Sequence, residues 1–191
     1  MSSASRLQRL DSLAREANPT RKKLVALALL GDRLSEDGIR PVLVGGAAVE
    51  LYTSGGYATK DVDLALPLCP EVEAAFDELG FTRQGRYWYR ADLDLLFEAP
   101  APADLPGEDA PRTVVDVEGM PVYVLGLEDL ILDRLRGWVH WRSDEDGRWA
   151  RRLVQLHADR IDREYLHRKV AGNDSERQAL RTLLEETEPL P

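Results

Sequence analysis

The sequence predicts an α/β (α+β) protein with a small, mixed, twisted sheet flanked by helices and a helical C-terminal segment. Two observations predict this class. Short apolar runs that contain β-branched residues alternate with helical patterns up to about residue 126. Beyond Gly126 the spacing of the apolar residues is only helical. We therefore predict a core of residues 1–126, which includes N-terminal helices, and a helical segment of residues 127–191 packed on it.

The elements follow from local signals along the chain. Leucines at helical spacing predict a helix over 5–16, and Asn18 followed by Pro19 is a typical start for a second helix that ends near Glu36. The predicted strands cover residues 41–44, 61–66, 81–83, 87–90, 93–97, 113–117 and 122–125. The other predicted helices cover residues 45–52, 71–79, 127–140, 147–157, 162–171 and 174–187, and the proline-rich segment 99–112 is predicted to be a loop.

Composition excludes several classes of protein. Hydrophobic residues make up 43% of the chain and charged residues 31%, which is typical of a folded globular protein. No apolar run approaches the roughly 18–20 residues that span a bilayer, so we expect no membrane partner. The N-terminus lacks the apolar core of a signal peptide, and Cys69 is the single cysteine, so we expect a cytoplasmic protein without disulfides.

The net charge of −9 argues against a broad surface that coats nucleic acid. The charge is uneven, because residues 24–132 are strongly acidic whereas residues 1–23 and 133–170 are mildly basic. Two interpretations remain open. The basic segments are either solvated helix faces or a rim that leads a charged acceptor, such as an RNA end, to an acidic metal-holding site.

Two aspartates on one predicted strand point to a metal site. Side chains two residues apart on a strand share a face, so Asp61 and Asp63 point the same way with Cα atoms roughly 6.5 Å apart. Paired carboxylates repel each other unless a cation compensates. Oxygen ligands of this kind suit Mg²⁺. For the third carboxylate we favour Asp94, which lies in a later apolar run, and Asp116 is the competing candidate.

Residues 43–52 (LVGGAAVELY) and 55–64 (GGYATKDVDL) resemble the nucleotidyltransferase superfamily related to DNA polymerase beta. In that family a strand leads to a Gly-Gly or Gly-Ser turn that opens a helix, and an Asp-x-Asp strand and a third acidic residue follow. The form seen here resembles the minimal bacterial and archaeal nucleotidyltransferase domains related to AbiE-type toxin–antitoxin nucleotidyltransferases. The resemblance covers about residues 41–97 and implies the nucleotidyltransferase fold. A later stretch around Arg134 resembles the family's helix after the sheet, where a Lys often stands.

The resemblance also implies roles for individual residues. Asp61, Asp63 and Asp94 would be catalytic and would hold Mg²⁺, as two ions. Nucleotide contacts would come from the residues near the triphosphate: Gly45, Gly46, Thr59, Lys60 and Arg134. Lys60 alternates away from the aspartate face, so the sequence pattern itself favours a solvent-facing side chain.

The implied activity is transfer of a nucleotide from an NTP to a hydroxyl of an RNA (a tRNA end) or a protein, as an EC 2.7.7 type enzyme. The chain would be a toxin–antitoxin component with a cognate toxin or antitoxin partner, or a stand-alone enzyme. Two alternatives remain. One is a non-catalytic, antitoxin-like module that binds a nucleotide or a partner protein, and the other is a small-molecule nucleotidyltransferase of the aminoglycoside-modifying type.

Overall fold

The computed structural model describes residues 1–99 and 110–186. These residues form two compact units, which are described separately. The first unit comprises Met1–Leu51 and Gly55–Leu125, and the second comprises Tyr52–Ser54 and Gly126–Pro191.

The described residues contain eight α-helices and seven strands. The helices are α1 (Ser3–Ser12), α2 (Pro19–Leu34), α3 (Gly45–Tyr52), α4 (Pro70–Glu78), α5 (Leu127–Trp141), α6 (Asp144–Leu156), α7 (Arg163–Val170) and α8 (Asp174–Glu186). The strands are β1 (Val42–Leu43), β2 (Asp61–Ala65), β3 (Thr82–Gln84), β4 (Tyr87–Arg90), β5 (Leu95–Glu98), β6 (Arg112–Val117) and β7 (Met120–Leu125).

The strands of the first unit form one mixed sheet in the order β3-β4-β5-β2-β1-β7-β6. The β2–β5 and β1–β7 pairs are parallel, and the other neighbours are antiparallel. Because β2 and β5 are parallel, a crossover must connect them. The chain leaves the sheet through α4 and returns to it as the β3–β4 hairpin, and β4 then pairs with β5. This arrangement of helices and a mixed sheet confirms the predicted fold class.

One face of the sheet carries the core. Paired residues on adjacent strands share a face, so Val62 on β2, Phe97 on β5 and Trp88 on β4 lie together. Phe76 of α4 stacks on Trp88 with a centroid distance of 4.5 Å, and all four side chains are buried. The alternate residues of these strands therefore lie on the opposite face, which is where polar side chains collect.

Several predicted boundaries shift. The first helix ends at Ser12 and continues as a 3-10 turn, and α6 begins at Asp144 because Ser143 caps it by accepting from the Asp146 N–H. The run predicted as a strand over 93–97 becomes a 3-10 turn followed by β5, which starts at Leu95 and extends to Glu98. Residues 100–109 of the predicted loop, and residue 187 of the last predicted helix, lie outside the described residues.

The second unit is helical. Two glycines bring α5 and α6 close together, because a Cβ on Gly137 would lie 2.4 Å from Asp146 Oδ2 and one on Gly147 would lie 2.9 Å from the Trp138 ring. Glu176, at the start of α8, is buried and accepts hydrogen bonds from Arg136 and Asn173, and it contacts His140 Nε2 at 2.9 Å. A buried charge of this kind is held in place by its partners.

Across residues 1–99 and 110–186, none of the helices combines the length and the apolar character needed to cross a membrane.

Candidate active site

Three carboxylates converge on the polar face of the sheet. Asp61 and Asp63 lie on β2, and Glu98, the last residue of β5, is the register partner of Asp63. Each residue offers one carboxylate oxygen, and these three oxygens lie within 4.8 Å of one another. All three residues are half-buried. We refer to Asp61, Asp63 and Glu98 as the carboxylate triad.

The glycine turn before α3 lies against this triad. Gly45 has a φ of +60°, and a Cβ at this position would lie 2.1 Å from Asp63 Oδ2, so only glycine fits. The Gly46 N–H donates to the same oxygen at 3.3 Å. The Thr59 hydroxyl donates to Asp61 Oδ1. Both β2 carboxylates are therefore oriented by hydrogen bonds from neighbouring segments.

A buried ion pair between α2 and α3 holds the backbone of Thr59 by hydrogen bonds. Lys23 of α2 and Glu50 of α3 are 8% and 3% exposed, and the lysine ammonium donates to the glutamate carboxylate. The same ammonium donates to the Thr59 carbonyl at 2.9 Å, and the Thr59 N–H donates to Glu50 Oε2 at 3.5 Å. Thr20 donates its hydroxyl to Glu50 Oε1. These contacts link two helices of the first unit to the orientation of Asp61.

A cation from the β3–β4 hairpin contacts the triad. Arg86 lies in the turn after Gly85, and its Nε forms an ion pair of 2.9 Å with Glu98 Oε1. Its Nε and Nη2 also donate to the hydroxyl of Tyr87, at 3.3 and 3.1 Å. The Tyr87 hydroxyl first, and then the charge of Glu98, hold the pKa of the Arg86 guanidinium above its usual value. The triad therefore carries its own positive counter-charge.

The third carboxylate of this group is Glu98, and neither Asp94 nor Asp116 belongs to it. Asp94 is exposed, with a φ of +51°, and ends the 3-10 turn before β5. The strand thus begins one residue later, and its register places Leu96 beside Asp61 and Glu98 beside Asp63. Asp116 is exposed on β6, at the far edge of the sheet, and accepts from the Gly119 N–H at 3.1 Å.

The structure brings most of the other predicted site residues of the first unit together. Gly45, Gly46 and Thr59 contact the triad aspartates, whereas Lys60 is exposed. Arg134 lies on α5 in the second unit, where it donates to Asp133 and, at 2.7 Å, to Asp146 of α6.

Sequence reasoning missed Glu98, Arg86 and the Lys23–Glu50 pair. A signal existed for Glu98, because it follows directly on the apolar run predicted as a strand and shares the two-residue period with Leu96. No local signal marks Arg86, which is one of many exposed arginines. Lys23 lies in α2, whose apolar residues follow the spacing of a helix that packs on the core, so the sequence does not single out this lysine.

The residues present fit a hard divalent cation. The triad offers only carboxylate oxygens, with no nitrogen or sulfur ligand among its members. Such donor sets favour Mg²⁺ or Mn²⁺ over Zn²⁺ or copper. The absence of a Cβ at Gly45 leaves Asp63 the space it needs on this face.

Comparisons with known proteins identify the fold. No protein-family model and no curated protein matches this sequence. Among solved structures, the chain is similar to an antigenic nucleotidyltransferase-like protein from Paracoccidioides brasiliensis, with a TM-score of 0.65 and 16% identity over 89% of each chain.

Two structures of the antibiotic-resistance factor ANT(2'')-Ia also match. The solution structure has a TM-score of 0.44 with 16% identity over 85% of this chain and 88% of that chain. The crystal structure in complex with adenylyl-2''-tobramycin has a TM-score of 0.46 with 21% identity over 83% and 95%. The likeness to the Paracoccidioides brasiliensis protein shows that the chain has a nucleotidyltransferase-like fold.

Proposed function

We propose that the chain is a divalent-cation-dependent nucleotidyltransferase that moves a nucleotide from an NTP to a hydroxyl acceptor. The observation that carries this proposal is the carboxylate triad, with oxygens within 4.8 Å of one another on a nucleotidyltransferase-like fold. Like charges at this separation repel unless a cation compensates. Arg86 offsets one of the three negative charges, and a divalent cation would offset the other two.

Each residue has a defined task in this proposal. Asp61, Asp63 and Glu98 would hold Mg²⁺, with Glu98 in the place that the sequence resemblance gives to Asp94. When bound, Mg²⁺ neutralises phosphate charge and lowers the pKa of an attacking hydroxyl. Thr59 keeps Asp61 in its orientation through the hydroxyl hydrogen bond. The N-terminus of α3 at Gly45 would face the triphosphate, because unpaired N–H groups and the helix dipole favour an anion.

In the proposed transfer, one bond to the α-phosphorus forms and another breaks. The acceptor oxygen forms a bond to the α-phosphorus of the NTP, and the bond from that phosphorus to the oxygen bridging to the β-phosphate breaks. Pyrophosphate leaves with the electron pair of that bond. A carboxylate oxygen of Glu98 accepts the proton that the acceptor hydroxyl loses.

The acceptor we propose is the end of an RNA or a hydroxyl of a protein, in a toxin–antitoxin setting of the AbiE type. This part of the proposal rests on the resemblance of residues 41–97. The sheet face beside the triad adds an aromatic surface, since Tyr87 is the register partner of Glu98 and Tyr89, 37% exposed, that of Leu96. Such rings can stack on the flat base of a nucleotide.

Labelling with α-³²P NTPs tests the activity. Each of the four NTPs is incubated with Mg²⁺ and, in separate arms, total RNA, a protein lysate and a pool of aminoglycosides. Glu98→Gln and Asp63→Asn are compared with Asp94→Asn, a matched control that removes a carboxylate near the same strand. We expect label with the wild type and Asp94→Asn, and a loss of at least about 100-fold in the two triad variants.

Three outcomes contradict the proposal or a part of it. Transfer that survives Glu98→Gln and is lost in Asp94→Asn would assign the third carboxylate to Asp94. The absence of label in every arm, with calorimetric NTP binding retained, would favour the non-catalytic, antitoxin-like alternative. Label confined to the aminoglycoside arm would replace the macromolecular acceptor by a small molecule.

A further inference from the structure

Arg86 connects the β3–β4 hairpin to the carboxylate triad. Its Nε lies 2.9 Å from Glu98 Oε1, and the side chains are 58% and 13% exposed. Glu98 is fixed by its place in β5, between β2 and β4. The guanidinium is therefore the exposed end of this ion pair, and the carboxylate is the end that the sheet positions.

The backbone of Arg86 is held by contacts that do not involve its side chain. Its carbonyl accepts from the Ala99 N–H at 3.2 Å, and the preceding Gly85 has a φ of +64°, which sets the tight turn. The partners of the guanidinium among the described residues are Tyr87, through its hydroxyl and its ring at 5.3 Å, and Glu98. The backbone contacts of the turn are separate from these, so the guanidinium can leave Glu98 without disturbing the hairpin.

A guanidinium and a divalent cation compete for one carboxylate. Both are positively charged, and both need the oxygens of Glu98, so they repel each other at close range. The Arg86 end of this ion pair is 58% exposed, so solvent screens the attraction and the pair is weaker than a fully buried one. A cation that is held by three carboxylates at once can displace the guanidinium from Glu98.

We propose that Arg86 is an exchangeable counter-ion of the triad, which leaves Glu98 when a divalent cation binds and then binds a phosphate of the nucleotide. This inference rests on the proposed function, and it adds a residue that the sequence resemblance does not assign. Arg86 thereby couples the binding of the divalent cation to the binding of the nucleotide. The cation alone must displace the guanidinium, whereas with the nucleotide the displaced guanidinium gains a charge-assisted hydrogen bond to phosphate.

Binding of Mn²⁺ with and without a non-hydrolysable nucleotide tests this coupling. Free Mn²⁺ is measured by electron paramagnetic resonance, first alone and then with the α,β-methylene analogues of ATP and GTP. The variants are Arg86→Gln and the matched control Arg83→Gln. Arg83 lies on the same hairpin but pairs with Trp88 on the opposite face of the sheet, where it contacts Glu73. The two substitutions therefore remove the same charge from the same hairpin.

Arg86→Gln is expected to change the affinity for Mn²⁺ and the affinity for the nucleotide analogue in opposite directions. Arg86→Gln binds Mn²⁺ alone about two- to fivefold more tightly than the wild type, since a competing exposed ion-pair partner is gone. The same variant binds the nucleotide analogue about tenfold more weakly in the presence of Mn²⁺. Arg83→Gln changes neither affinity.

Results that contradict the role of Arg86 can be distinguished from results that contradict the cation site. Unchanged or weaker binding of Mn²⁺ alone by Arg86→Gln overturns the counter-ion role and leaves the proposed triad intact. Equal effects of Arg86→Gln and Arg83→Gln also overturn it, because they would reflect net charge alone. Failure of the wild-type protein to bind Mn²⁺ overturns the proposed cation site and the role of Arg86 with it.

Discussion

Asp63 and Glu98 face each other as register partners on two parallel strands, although a helix and a hairpin separate them along the chain. The row continues across the sheet, because Glu98 is in turn paired with Tyr87 and Tyr87 with Gln84. One line of side chains thus leads from the triad carboxylates to an aromatic ring. A shift of one residue in the β2–β5 register would turn the side chains of β2 to the opposite face and remove Asp63 from this line.

Gly45→Ala is expected to abolish cation binding. The added Cβ would lie 2.1 Å from Asp63 Oδ2 at a φ of +60°, so Asp63 has to move. Gly38→Ala is the matched control, since Gly38 has a φ of +73° and nothing lies within 4 Å of its added Cβ. Both variants are expected to lose about 1 kcal/mol of stability from backbone strain. Mn²⁺ titration separates them, and equal Mn²⁺ affinity in the two would contradict the role of Gly45.

Lys23→Met is expected to destabilise the first unit by about 3–5 kcal/mol, because it removes the ammonium partner of the buried Glu50 carboxylate. The double variant Lys23→Met/Glu50→Gln removes both charges and keeps an acceptor for Thr20. We expect the double variant to be more stable than Lys23→Met alone. Urea unfolding followed by circular dichroism measures both. A double variant no more stable than Lys23→Met would show that the two charges are not coupled.

The stability of the second unit is expected to depend on the ionisation of Glu176. Burial raises the pKa of Glu176, but the hydrogen bond with His140 and the nearby Arg136 outweigh it, and the pKa falls below its usual 4.5. A depressed carboxyl pKa contributes stability above the pKa of the unfolded chain, and this contribution is lost as the pH falls through the folded pKa.

The variant Glu176→Gln measures how much the ionised Glu176 carboxylate contributes to the stability of the second unit. We expect the variant to be about 1–3 kcal/mol less stable than the wild type at pH 7. The difference shrinks as the pH falls below the usual carboxyl pKa of 4.5 and through the lowered pKa of the folded state, because the wild-type carboxylate then gains a proton. Thermal unfolding at each pH measures the difference, and a difference that does not shrink on acidification would contradict the assignment.

Gly147→Ala is expected to destabilise the second unit although alanine is the better helix former. The added Cβ would lie 2.9 Å from the Trp138 ring, so α5 and α6 must separate. Overpacking of this kind costs about 1–3 kcal/mol, which exceeds the gain in helix propensity of about 1 kcal/mol. Gly172→Ala, where the added Cβ meets nothing within 4 Å, is the control and is expected to be neutral. Thermal unfolding that finds both variants equally stable would contradict the close approach.

The placement of Asp61 and Asp63 on one strand could be predicted from the sequence, because its signals are local. Asp61 and Asp63 sit on one strand, and a two-residue period is sufficient to place both on one face. The Gly45-Gly46 turn follows a buried strand directly, so its position next to the aspartates follows from the β1–β2 pair. These inferences need only the conformation of short segments.

The third carboxylate could not be placed in this way. The apolar run that contains Asp94 predicts a strand, but the left-handed conformation of Asp94 delays its start until Leu95. The register of a parallel pair is set by packing between distant segments and not by a turn. The ion pair between Arg86 and Glu98 depends on the same long-range register, so no local pattern could indicate it.

The long segment of chain between β2 and β5 also affects the rate of folding. Pairing of segments that are distant along the chain requires the closure of a large loop, and such contacts form more slowly than helices and hairpins. The β3–β4 hairpin can form early from neighbouring residues, whereas the β2–β5 pair must wait for α4 and the hairpin to dock. During refolding, helical circular dichroism should therefore recover first, and the capacity to bind Mn²⁺ should return only with the slowest phase.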